Sequence, residues 1–378
     1  MDYGKTLKYL DRIGKEGNKS FFTLHDVLTY NRPWNFITGP RSTGKTTATG
    51  TFLLTDACLN DHNFVYIRRD QKELDVTKQR FFDDAVYLIN AKAVDFKIKD
   101  FKYDSGFYYI KAETEKRDDE DWVPCGCTIP LNLEHKYKSN IFLVYNGVYD
   151  EFMVQDSTKY LGTADNPTEY IKLLSLFTSL DRKPGVPFRN ELKFFMLGNT
   201  STIYNPIYME LGITKYIKPD SKVVAPKNKA WLLKQLFEND ISALDGYQSS
   251  NVWKLSTEEQ QNYNFRNTGN EDDTFIVTEQ PKTKKFSINI RIDKKPYGVY
   301  SIEQDTKIFI GKGFCPNMGN TVSLDVQSHD GVCDKQFIQQ YRNDMFFSNI
   351  LRAYRNGKLW FDSMGTKMAF AKYLDFMP

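Results

Sequence analysis

Residues 34 to 46 of this 378-residue chain read WNFITGPRSTGKT, an apolar run followed by two glycines at a fixed spacing. Gly39 and Gly44 are separated by four residues, and Lys45 and Thr46 follow directly, which is the spacing of a phosphate-binding loop. The motif requires a strand before it and a helix after it, and both flanking segments meet that requirement. An accidental glycine turn is therefore the weaker interpretation.

Each residue type in this loop has a reason to bind a phosphate chain. Glycines let the backbone bend so that its N–H groups point inward, and the following helix places its positive end at the same anion. Lys45 is expected to reach the β- and γ-phosphate oxygens, and the Thr46 hydroxyl is expected to ligate Mg²⁺. The loop predicts a site for ATP and Mg²⁺.

A second hydrophobic run, Ile141 to Tyr149, ends in two acids, Asp150 and Glu151. Ligands of open α/β sheets bind at the carboxyl ends of the strands, where both acids would lie. Asp150 is expected to hold Mg²⁺ directly or through water. Because a chain bends where a strand ends, Glu151 could turn toward the γ-phosphate and polarise the attacking water. Without the phosphate-binding loop, this pair of acids would be interpreted as a solvated turn. Together with the loop, the second acid favours hydrolysis over transfer of the phosphoryl group to a small acceptor.

Two further features complete the candidate site. Lys193 to Leu197 is a third strand-like run, and Asn199 just beyond it could bond to the γ-phosphate or the attacking water. Without the other motifs, that Gly-Asn would be read as an ordinary turn. Arg182 and Arg189 are both candidates for an arginine finger supplied by a neighbouring subunit, and a plain surface arginine is the alternative for each.

Within residues 1–225, short apolar runs alternate with longer helical stretches, which predicts an α/β ATPase domain with a mainly parallel sheet. Trp34–Thr38 and Phe64–Arg68 are predicted strands. Phe101–Lys111, with Gly106 at its centre, predicts a hairpin inserted at one edge.

Residues 226–270 are the expected boundary between two domains. They begin APKNKAWLLKQLF and then turn polar. This pattern predicts a short helix followed by an exposed linker.

Residues 271–378 are expected to form a smaller α+β domain. FSINIRI, YGVYSI and KIFIGKGF are closely spaced and predict an antiparallel meander. The remainder is predicted to be helical, because Phe346, Ile350 and Tyr354 recur at helical spacing in a segment that starts near Asp334, a candidate N-cap.

Composition narrows the function classes only in part. The net charge of +3 is too small to indicate a nucleic-acid partner by itself, so that claim needs local sites. The five cysteines lack paired metal or disulfide spacing, and a structural role is favoured for Cys125 and Cys127 on their predicted strand. No run approaches the roughly 18 apolar residues of a membrane span, so a cytoplasmic protein is expected.

Five short stretches, in their order and spacing, resemble the DNA-packaging ATPases of φ29-like tailed phages. They are WNFITGPRSTGKT with Arg41 inside the loop, FVYIRR at 64–69, VYDEF at 148–152, LGNTSTIYNP at 197–206 and NGKLWFD at 356–362. The resemblance covers almost the whole chain. It implies an ASCE-type P-loop ATPase domain followed by a vestigial domain similar to a ribonuclease-H-type nuclease.

The resemblance also implies roles for the site residues. The loop, with Arg41, would hold the nucleotide; Asp150 would hold the metal, Glu151 the catalytic water, and Asn199 would couple hydrolysis to movement. The trans-acting arginine of the family lies a few residues after a Leu-Leu-x-Leu stretch, which here favours Arg182. A KPGVP insertion follows Arg182 and separates it from the alternative, Arg189. The family's lysine that acts across a subunit boundary would be Lys136 or Lys138.

For partners, the family implies a ring of five copies docked on the portal of an empty prohead in the host cytoplasm, threading double-stranded DNA through its centre. In φ29 itself a packaging RNA is part of that dock. Asp293, Asp305 and Asp325 cannot be assigned to one metal site, so no nuclease activity is expected.

Three basic stretches are candidates for gripping nucleic-acid phosphates. They are Lys282–Lys285, Arg291–Lys295 and the hairpin that carries Lys97, Lys99 and Lys102. Lysines that only protect exposed strand edges are an equally good interpretation for the first two.

Three other functions remain open from the sequence. A large-terminase-like protein would both translocate and cut DNA, and its C-terminal domain would have metal-dependent nuclease activity. A capsid-associated assembly factor would bind nucleotide without turnover, so Glu151 would be dispensable. A small-molecule kinase is disfavoured because no arginine-rich lid segment is evident.

Overall fold

The computed structural model describes most of the first 237 residues and parts of the rest. The described residues are 3–15, 22–92, 96–114, 120–137, 143–153, 161, 168–182, 185, 188–199, 205–213, 216–217, 222–237, 254–255, 281–292, 295–302, 307–313, 321–323, 335–336, 348–350, 352–353, 358–363, 366–367 and 369–370. The chain divides into two compact units. The first comprises residues 1–161, 168–206 and 217–270, and the second 162–167, 207–216 and 271–378.

A nine-stranded sheet forms the centre of the first unit. Its strands are β1 (Trp34–Thr38), β2 (Phe64–Arg68), β3 (Lys97–Asp104), β4 (Phe107–Glu113), β5 (Val123–Pro130), β6 (Asn146–Asp150), β7 (Lys193–Gly198), β8 (Val223–Val224) and β9 (Trp231–Gln235). They lie in the order β3-β4-β5-β2-β6-β7-β1-β9-β8. Consecutive strands from β5 to β9 in this order are parallel, and the edges β3, β4 and β8 are antiparallel.

Helices alternate with these strands. They are α1 (Gly4–Lys15), α2 (His25–Thr29), α3 (Lys45–Asn60), α4 (Gln71–Thr77), α5 (Asp83–Lys92), α6 (Glu134–Tyr137) and α7 (Thr168–Leu180), with a 3-10 turn at Leu131–Leu133. A further helix, α8 (Pro206–Leu211), belongs to the second unit from Ile207 onward. The helix α3 follows β1 and packs its buried face into the main core with α1 and α5.

The predicted α/β fold is confirmed. Strands β1, β2 and β7 are buried at every residue, as is usual for parallel strands covered on both faces, and their apolar runs predicted them closely. The strand predicted from Ile141 is shorter in the structure and begins at Asn146; Ile141 itself lies outside the described residues. Because β7 lies between β1 and β6, the end of β7 stands between the phosphate-binding loop and the two acids.

The predicted edge hairpin is also confirmed. Strands β3 and β4 pair antiparallel through a two-residue turn at Ser105 and Gly106. Both turn residues have positive φ, 50° and 93°, which matches the tight hairpin turns whose twist suits the flanking strands.

The helix predicted at the start of residues 226–270 is wrong. Trp231–Gln235 is instead the strand β9, which pairs in parallel with β1 and so belongs to the nine-stranded sheet. Four of its five residues are buried. A short apolar run of this kind does not distinguish a buried strand from a buried helix, and tertiary pairing with β1 decides between them.

The second unit contains a six-stranded mixed sheet. Its strands are β10 (Lys284–Ile292), β11 (Lys295–Ile302), β12 (Lys307–Lys312), β13 (Thr321–Ser323), β14 (Lys335–Gln336) and β15 (Leu359–Phe361), in the order β14-β13-β10-β11-β12-β15. The predicted meander is confirmed as the antiparallel strands β10, β11 and β12. Parallel strands extend it on both sides, which makes the sheet mixed.

The prediction that the remainder is helical is only partly correct. Ile350 lies in a helix and is buried, but β14 begins directly after Asp334, where the helix was predicted to start. Phe346 and Tyr354 lie outside the described residues, as does Asp334. The three strands β13 to β15 were missed because they are only two or three residues long and carry no alternating pattern.

Two expectations concern features that the structure describes in part. Cys125 and Cys127 are both buried on β5, and neither is in a disulfide. Among the residues described, no helix is long and apolar enough to cross a bilayer.

Candidate active site

The phosphate-binding loop joins the end of β1 to the start of α3. Ser42 and Gly44 have positive φ, 61° and 88°, so the backbone turns back on itself before the helix begins at Lys45. Gly39 is required by close approach: a Cβ there would lie 2.7 Å from Leu236 Cβ and 2.8 Å from its carbonyl oxygen. The loop is thereby clamped against the segment that follows β9.

Lys45 lies buried within the loop. Its Nζ donates to the carbonyl oxygens of Gly39 at 2.9 Å and Pro40 at 2.5 Å and to Thr43 Oγ1 at 3.3 Å. Burial lowers the pKa of Lys45 to about 7, with Asp150 opposing the shift and Arg41 adding to it. An ammonium group with this environment is ready to exchange loop carbonyls for phosphate oxygens, which would hold its charge more strongly.

The two acids lie where the sequence placed them, at the end of β6. Asp150 is the last residue of the strand, and burial raises its pKa to about 6 against the opposing charge of Arg68, with Glu151 adding to the rise. Glu151 has a φ of 55°, a left-handed conformation that is uncommon for a residue with a side chain. This bend is the one that the sequence required, and it leaves 57% of the Glu151 side chain exposed.

Arg68, at the end of β2, binds both acids. Its two terminal nitrogens donate to Asp150 Oδ2 at 2.9 Å and to Glu151 Oε2 at 2.8 Å. Tyr66, on the same strand, donates to Asp150 Oδ2 at 3.4 Å. One guanidinium therefore bridges both acids, and a metal ion or a water at either acid would compete with Arg68.

A second pair, Arg69 and Glu169, lies directly behind the acids. Arg69 donates to both carboxylate oxygens of Glu169, at 3.0 and 3.1 Å, and both side chains are buried. Sequence reasoning assigned no role to Arg68, Arg69 or Glu169. Arg68 and Arg69 could have been found from the sequence, because two arginines at the carboxyl end of a buried strand indicate a ligand site. For Glu169 the sequence offers only its position in the first turn of α7.

One cavity of about 630 Å³ brings the predicted residues together. Its lining includes the loop from Arg41 to Thr46, the acids Asp150 and Glu151, and Asn199 just beyond β7. Thr46 is exposed in the first turn of α3, so its hydroxyl is accessible. Apolar side chains also line the cavity, among them Leu10, Phe22, Leu24, Tyr87 and Leu88. The volume lies within the range of small-molecule sites, and the lining combines groups that suit phosphates with apolar groups that suit a nucleoside.

The two candidate finger arginines have different environments. Arg182 is exposed just after α7 and has no hydrogen bond or ion pair to any residue that the structure describes. Arg189 is buried, donates to the carbonyl oxygens of Val144 and Leu180, and lies over the Tyr145 ring at 4.9 Å. Neither lines the cavity of its own copy, where Arg41 is the one arginine among the described lining residues.

Comparison with known proteins places the whole chain in one family. Residues 17–374 match the model of the podovirus DNA encapsidation protein, Gp16. The chain belongs to this family. A DNA packaging protein of Bacillus phage B103 is 24% identical over 353 residues, which cover 89% of this Gp16-family chain and 95% of the relative.

Two solved packaging motors have the same fold as this Gp16-family chain. A chain of the bacteriophage Phi-29 viral genome packaging motor assembly matches with a TM-score of 0.64 and 20% identity, covering 94% of this chain and 99% of that one. The Phi-28 gp11 DNA packaging motor matches with a TM-score of 0.63 and 18% identity, over 94% and 98% of the two chains. The resemblance read from five short stretches is thus confirmed at the level of the family.

The environments of the two arginines in the Gp16-family chain lead to opposite expectations for stability. Arg189→Met should destabilise the fold by roughly 1–3 kcal/mol for each of the two buried carbonyls that lose their donor. Arg182→Ala should leave the urea midpoint unchanged, because Arg182 is exposed and has no hydrogen bond or ion pair to a described residue. Urea unfolding of both variants checks this contrast, and equal shifts would mean that the burial assigned to Arg189 is wrong.

Most of the basic residues that the sequence singled out lie among the described residues of the Gp16-family chain. Lys136 is exposed on α6, and Lys138 lies outside the described residues. Lys97, Lys99 and Lys102 are exposed on β3, and Lys102 Nζ lies 4.2 Å from the centre of the Trp122 ring.

In the second unit, Lys282, Lys284, Lys285 and Lys295 are exposed and Arg291 is half-buried. Lys284 Nζ lies 4.6 Å from the centre of the Tyr300 ring. Asp293, Asp305 and Asp325 lie outside the described residues, and the described ones contain no cluster of three metal-binding side chains.

Proposed function

We propose that this chain is the subunit of an ATP-driven ring motor that translocates double-stranded viral DNA into a preformed prohead. The observation that carries the proposal is the convergence of the loop, the acids of β6 and Asn199 on one cavity. Membership of the DNA encapsidation family supplies the cargo, since the named relatives are DNA packaging proteins. Each copy would bind ATP and Mg²⁺ at a site that faces the next copy.

The described residues fit a nucleotide and its metal. Lys45 has a buried ammonium group held only by loop oxygens, and Thr46 presents an exposed hydroxyl beside it. Asp150 is deprotonated above about pH 6 and lies in the same cavity, so Thr46 and Asp150 would hold Mg²⁺. When bound, Mg²⁺ would neutralise charge on the β- and γ-phosphates.

Glu151 is the residue that would make this site a hydrolase. Its side chain is exposed to the cavity beside Asp150, so it can orient and polarise a water for in-line attack. In the present arrangement Arg68 holds Glu151 Oε2 at 2.8 Å, so Glu151 becomes a base only when that bond is released. Asn199, half-buried at the end of β7, would bond to the γ-phosphate or the water and sense its loss.

Arg182 would supply the remaining positive charge from a neighbouring copy. The cavity of one copy contains only Arg41 as a described lining arginine, and Arg41 already lies beside Lys45 at the loop. An exposed arginine without a described partner is available to enter another copy's site. Burial, two hydrogen bonds, a contact with the Tyr145 ring and an ion pair with Glu191 engage Arg189 within its own copy, so we propose Arg182 for this role.

The ring is proposed to contain five copies on the portal vertex of the prohead in the host cytoplasm, and a packaging RNA is a candidate partner. The exposed lysines of β3 are candidates for contacting DNA phosphates. Packaging can be tested directly with proheads of the same phage: double-stranded DNA should become resistant to added nuclease when ATP is present. DNA that stays fully digestible with the native chain, as with Lys45→Ala, would contradict the proposed cargo.

Nucleotide affinity is expected to fall as the pH rises above about 7. The pKa of Lys45 is about 7 without a ligand, and a bound phosphate chain would raise it, so binding takes up a proton between the two values. The dissociation constant should therefore increase by up to about tenfold per pH unit across that window. Isothermal titration calorimetry at several pH values measures it.

Lys45→Arg is the matched control for this pH dependence, because a guanidinium stays charged throughout the range. Its dissociation constant should be nearly independent of pH. The same slope in the native chain and in Lys45→Arg would show that another group causes the effect.

A further inference from the structure

A buried cluster of Arg69, Tyr149 and Glu169 connects the two acids to helix α7. Arg69 follows β2 directly, Tyr149 precedes Asp150 on β6, and Glu169 lies in the first turn of α7. The Tyr149 hydroxyl donates to Glu169 Oε1 at 2.7 Å, the same oxygen that receives one of the two bonds from Arg69. Tyr149 and Glu169 are fully buried, and we call these three residues the α7 clamp.

On the active-site side, the α7 clamp holds the backbone of the catalytic acid. The terminal nitrogen of Arg69 that bonds to Glu169 also donates to the carbonyl oxygens of Glu151 at 3.3 Å and Phe152 at 3.0 Å. These bonds hold the turn in which Glu151 has its left-handed φ of 55°. A change in the direction of Glu151 therefore moves the carbonyls to which Arg69 is bound.

On the other side, α7 leads directly to Arg182. The helix has 13 residues, about 20 Å of length, and ends at Leu180. Asp181 then fixes the base of the loop that carries Arg182: its carbonyl oxygen accepts from the Arg189 backbone at 2.9 Å, and its carboxylate accepts from the Asn190 backbone at 3.0 Å.

The far end of α7 is also tied to the segment that precedes β6. The Arg189 side chain donates both to Leu180 and to Val144, two residues before β6 begins. The helix is therefore fixed at one end near the start of β6 and at the other near its end. A helix held in this way transmits a displacement as a rigid element, because packed interiors rearrange as units.

We propose that Arg69, Tyr149 and Glu169 are positioning residues that couple the site of one copy to the arginine that this copy offers to the next. The proposal rests on the shared site described under Proposed function. When Arg68 releases Glu151, the backbone of Glu151 shifts, and the clamp passes the shift along α7 to Arg182. The state of each site would thereby determine the position of Arg182 in the site of the next copy.

The test uses two full-length variants that are inactive alone and complementary when mixed. Glu151→Gln should still bind nucleotide and offers Arg182 but does not hydrolyse, and we call it the donor. Arg182→Ala has a functional site but offers no arginine, and we call it the acceptor. Mixed in equal amounts, they should regain ATP hydrolysis wherever an acceptor site meets a donor arginine.

Tyr149→Phe is then added to the donor alone, with Glu169→Gln as a second, stronger variant. Both keep the shape of the side chain and remove part of the clamp's bonding. Restored hydrolysis should fall by about tenfold, within the range that coupling networks produce, although every functional site in the mixture has an intact clamp. The clamp of the acceptor is unmodified. If the clamp acted only on the site of its own copy, changing it in the donor would leave the restored rate of hydrolysis unchanged.

Tyr108→Phe in the donor is the matched control. Tyr108 is also a fully buried tyrosine, and it also loses a single 2.7 Å hydrogen bond, to the carbonyl oxygen of Lys78, which is not part of the clamp. It should leave the restored rate unchanged, and thermal unfolding should show equal stability for the two tyrosine variants of the donor.

Two outcomes would overturn the inference in distinguishable ways. If the donor and acceptor restore hydrolysis and Tyr149→Phe and Glu169→Gln in the donor behave like Tyr108→Phe, the clamp does not act on the neighbouring site. If the unmodified donor and acceptor fail to restore hydrolysis at all, the shared site itself is wrong, and the coupling inferred from it falls with it.

Discussion

Replacing Glu151 by glutamine should lower steady-state ATP hydrolysis by roughly 10²–10⁴-fold, the usual contribution of a positioned general base. Glutamine keeps the size of the side chain but cannot accept the proton of the attacking water. Since the Glu151 side chain bonds to Arg68, whereas Lys45 and Thr46 would hold the phosphates and the metal, the dissociation constant for nucleotide should change little. Turnover and binding, measured on the same preparation, separate these two effects.

Glu113→Gln is a suitable control for this prediction, because Glu113 is an exposed glutamate at the end of β4. It should retain native turnover. A Glu151→Gln variant that hydrolyses ATP within about threefold of the native rate would remove Glu151 from the chemistry, since a base contributes more than that. The chain would then fit a nucleotide-binding assembly factor better than a motor.

Replacing Arg182 by alanine should have the largest effect, roughly 10³–10⁵-fold on turnover in the assembled protein, as for other arginine fingers. The loss arises in the neighbour's site, where the arginine would stabilise charge on the transferring phosphoryl group. Binding of ATP to the isolated chain and the unfolding midpoint should both remain native, because Arg182 lies outside the cavity of its own copy. Single-turnover hydrolysis at high protein concentration measures the effect.

Arg352→Ala provides the comparison, since Arg352 is an exposed arginine of the second unit. It should not reproduce the loss. A finding that Arg182→Ala hydrolyses ATP normally in the assembled state, while an Arg189 variant of unchanged stability does not, would reverse the assignment of the two arginines.

The ends of the parallel strands were the most predictable part of the site. Buried parallel strands have continuous apolar sequences, so Trp34–Thr38 and Lys193–Leu197 could be located to within a residue. Once the strands were known, their carboxyl ends fixed where the loop, Asp150 and Asn199 would meet. The spacing of the motifs along the chain was sufficient, because the carboxyl ends of parallel strands lie at the same edge of the sheet and bring together residues that are distant in sequence.

The partners of the acids could not be predicted in the same way. Nothing in the sequence states that Arg68 faces both acids or that Arg69 reaches Glu169, 100 residues later in the chain. The burial of Arg189 has the same origin, since it depends on Val144 and Leu180 approaching from separate segments. Such contacts depend on tertiary packing that local pattern does not encode.

The strand β9 is a case in which the local sequence pattern predicted the wrong secondary structure. Its sequence WLLKQ, after a lysine-rich turn, has the composition of an amphipathic helix, and only pairing with β1 makes it a strand. The pairing also matters to the site, because Leu236, just after β9, closes against Gly39 of the phosphate-binding loop. The error in the boundary segment therefore concealed one support of the candidate site.

The most direct test of the shared-site motor is steady-state ATP hydrolysis measured against protein concentration, with and without double-stranded DNA, for the native chain and Arg182→Ala. In a shared-site motor, native turnover should rise faster than linearly with concentration, increase with DNA and be lost in the variant. Turnover that is linear in concentration and indifferent to both DNA and Arg182 would contradict it and indicate a self-contained nucleotide enzyme.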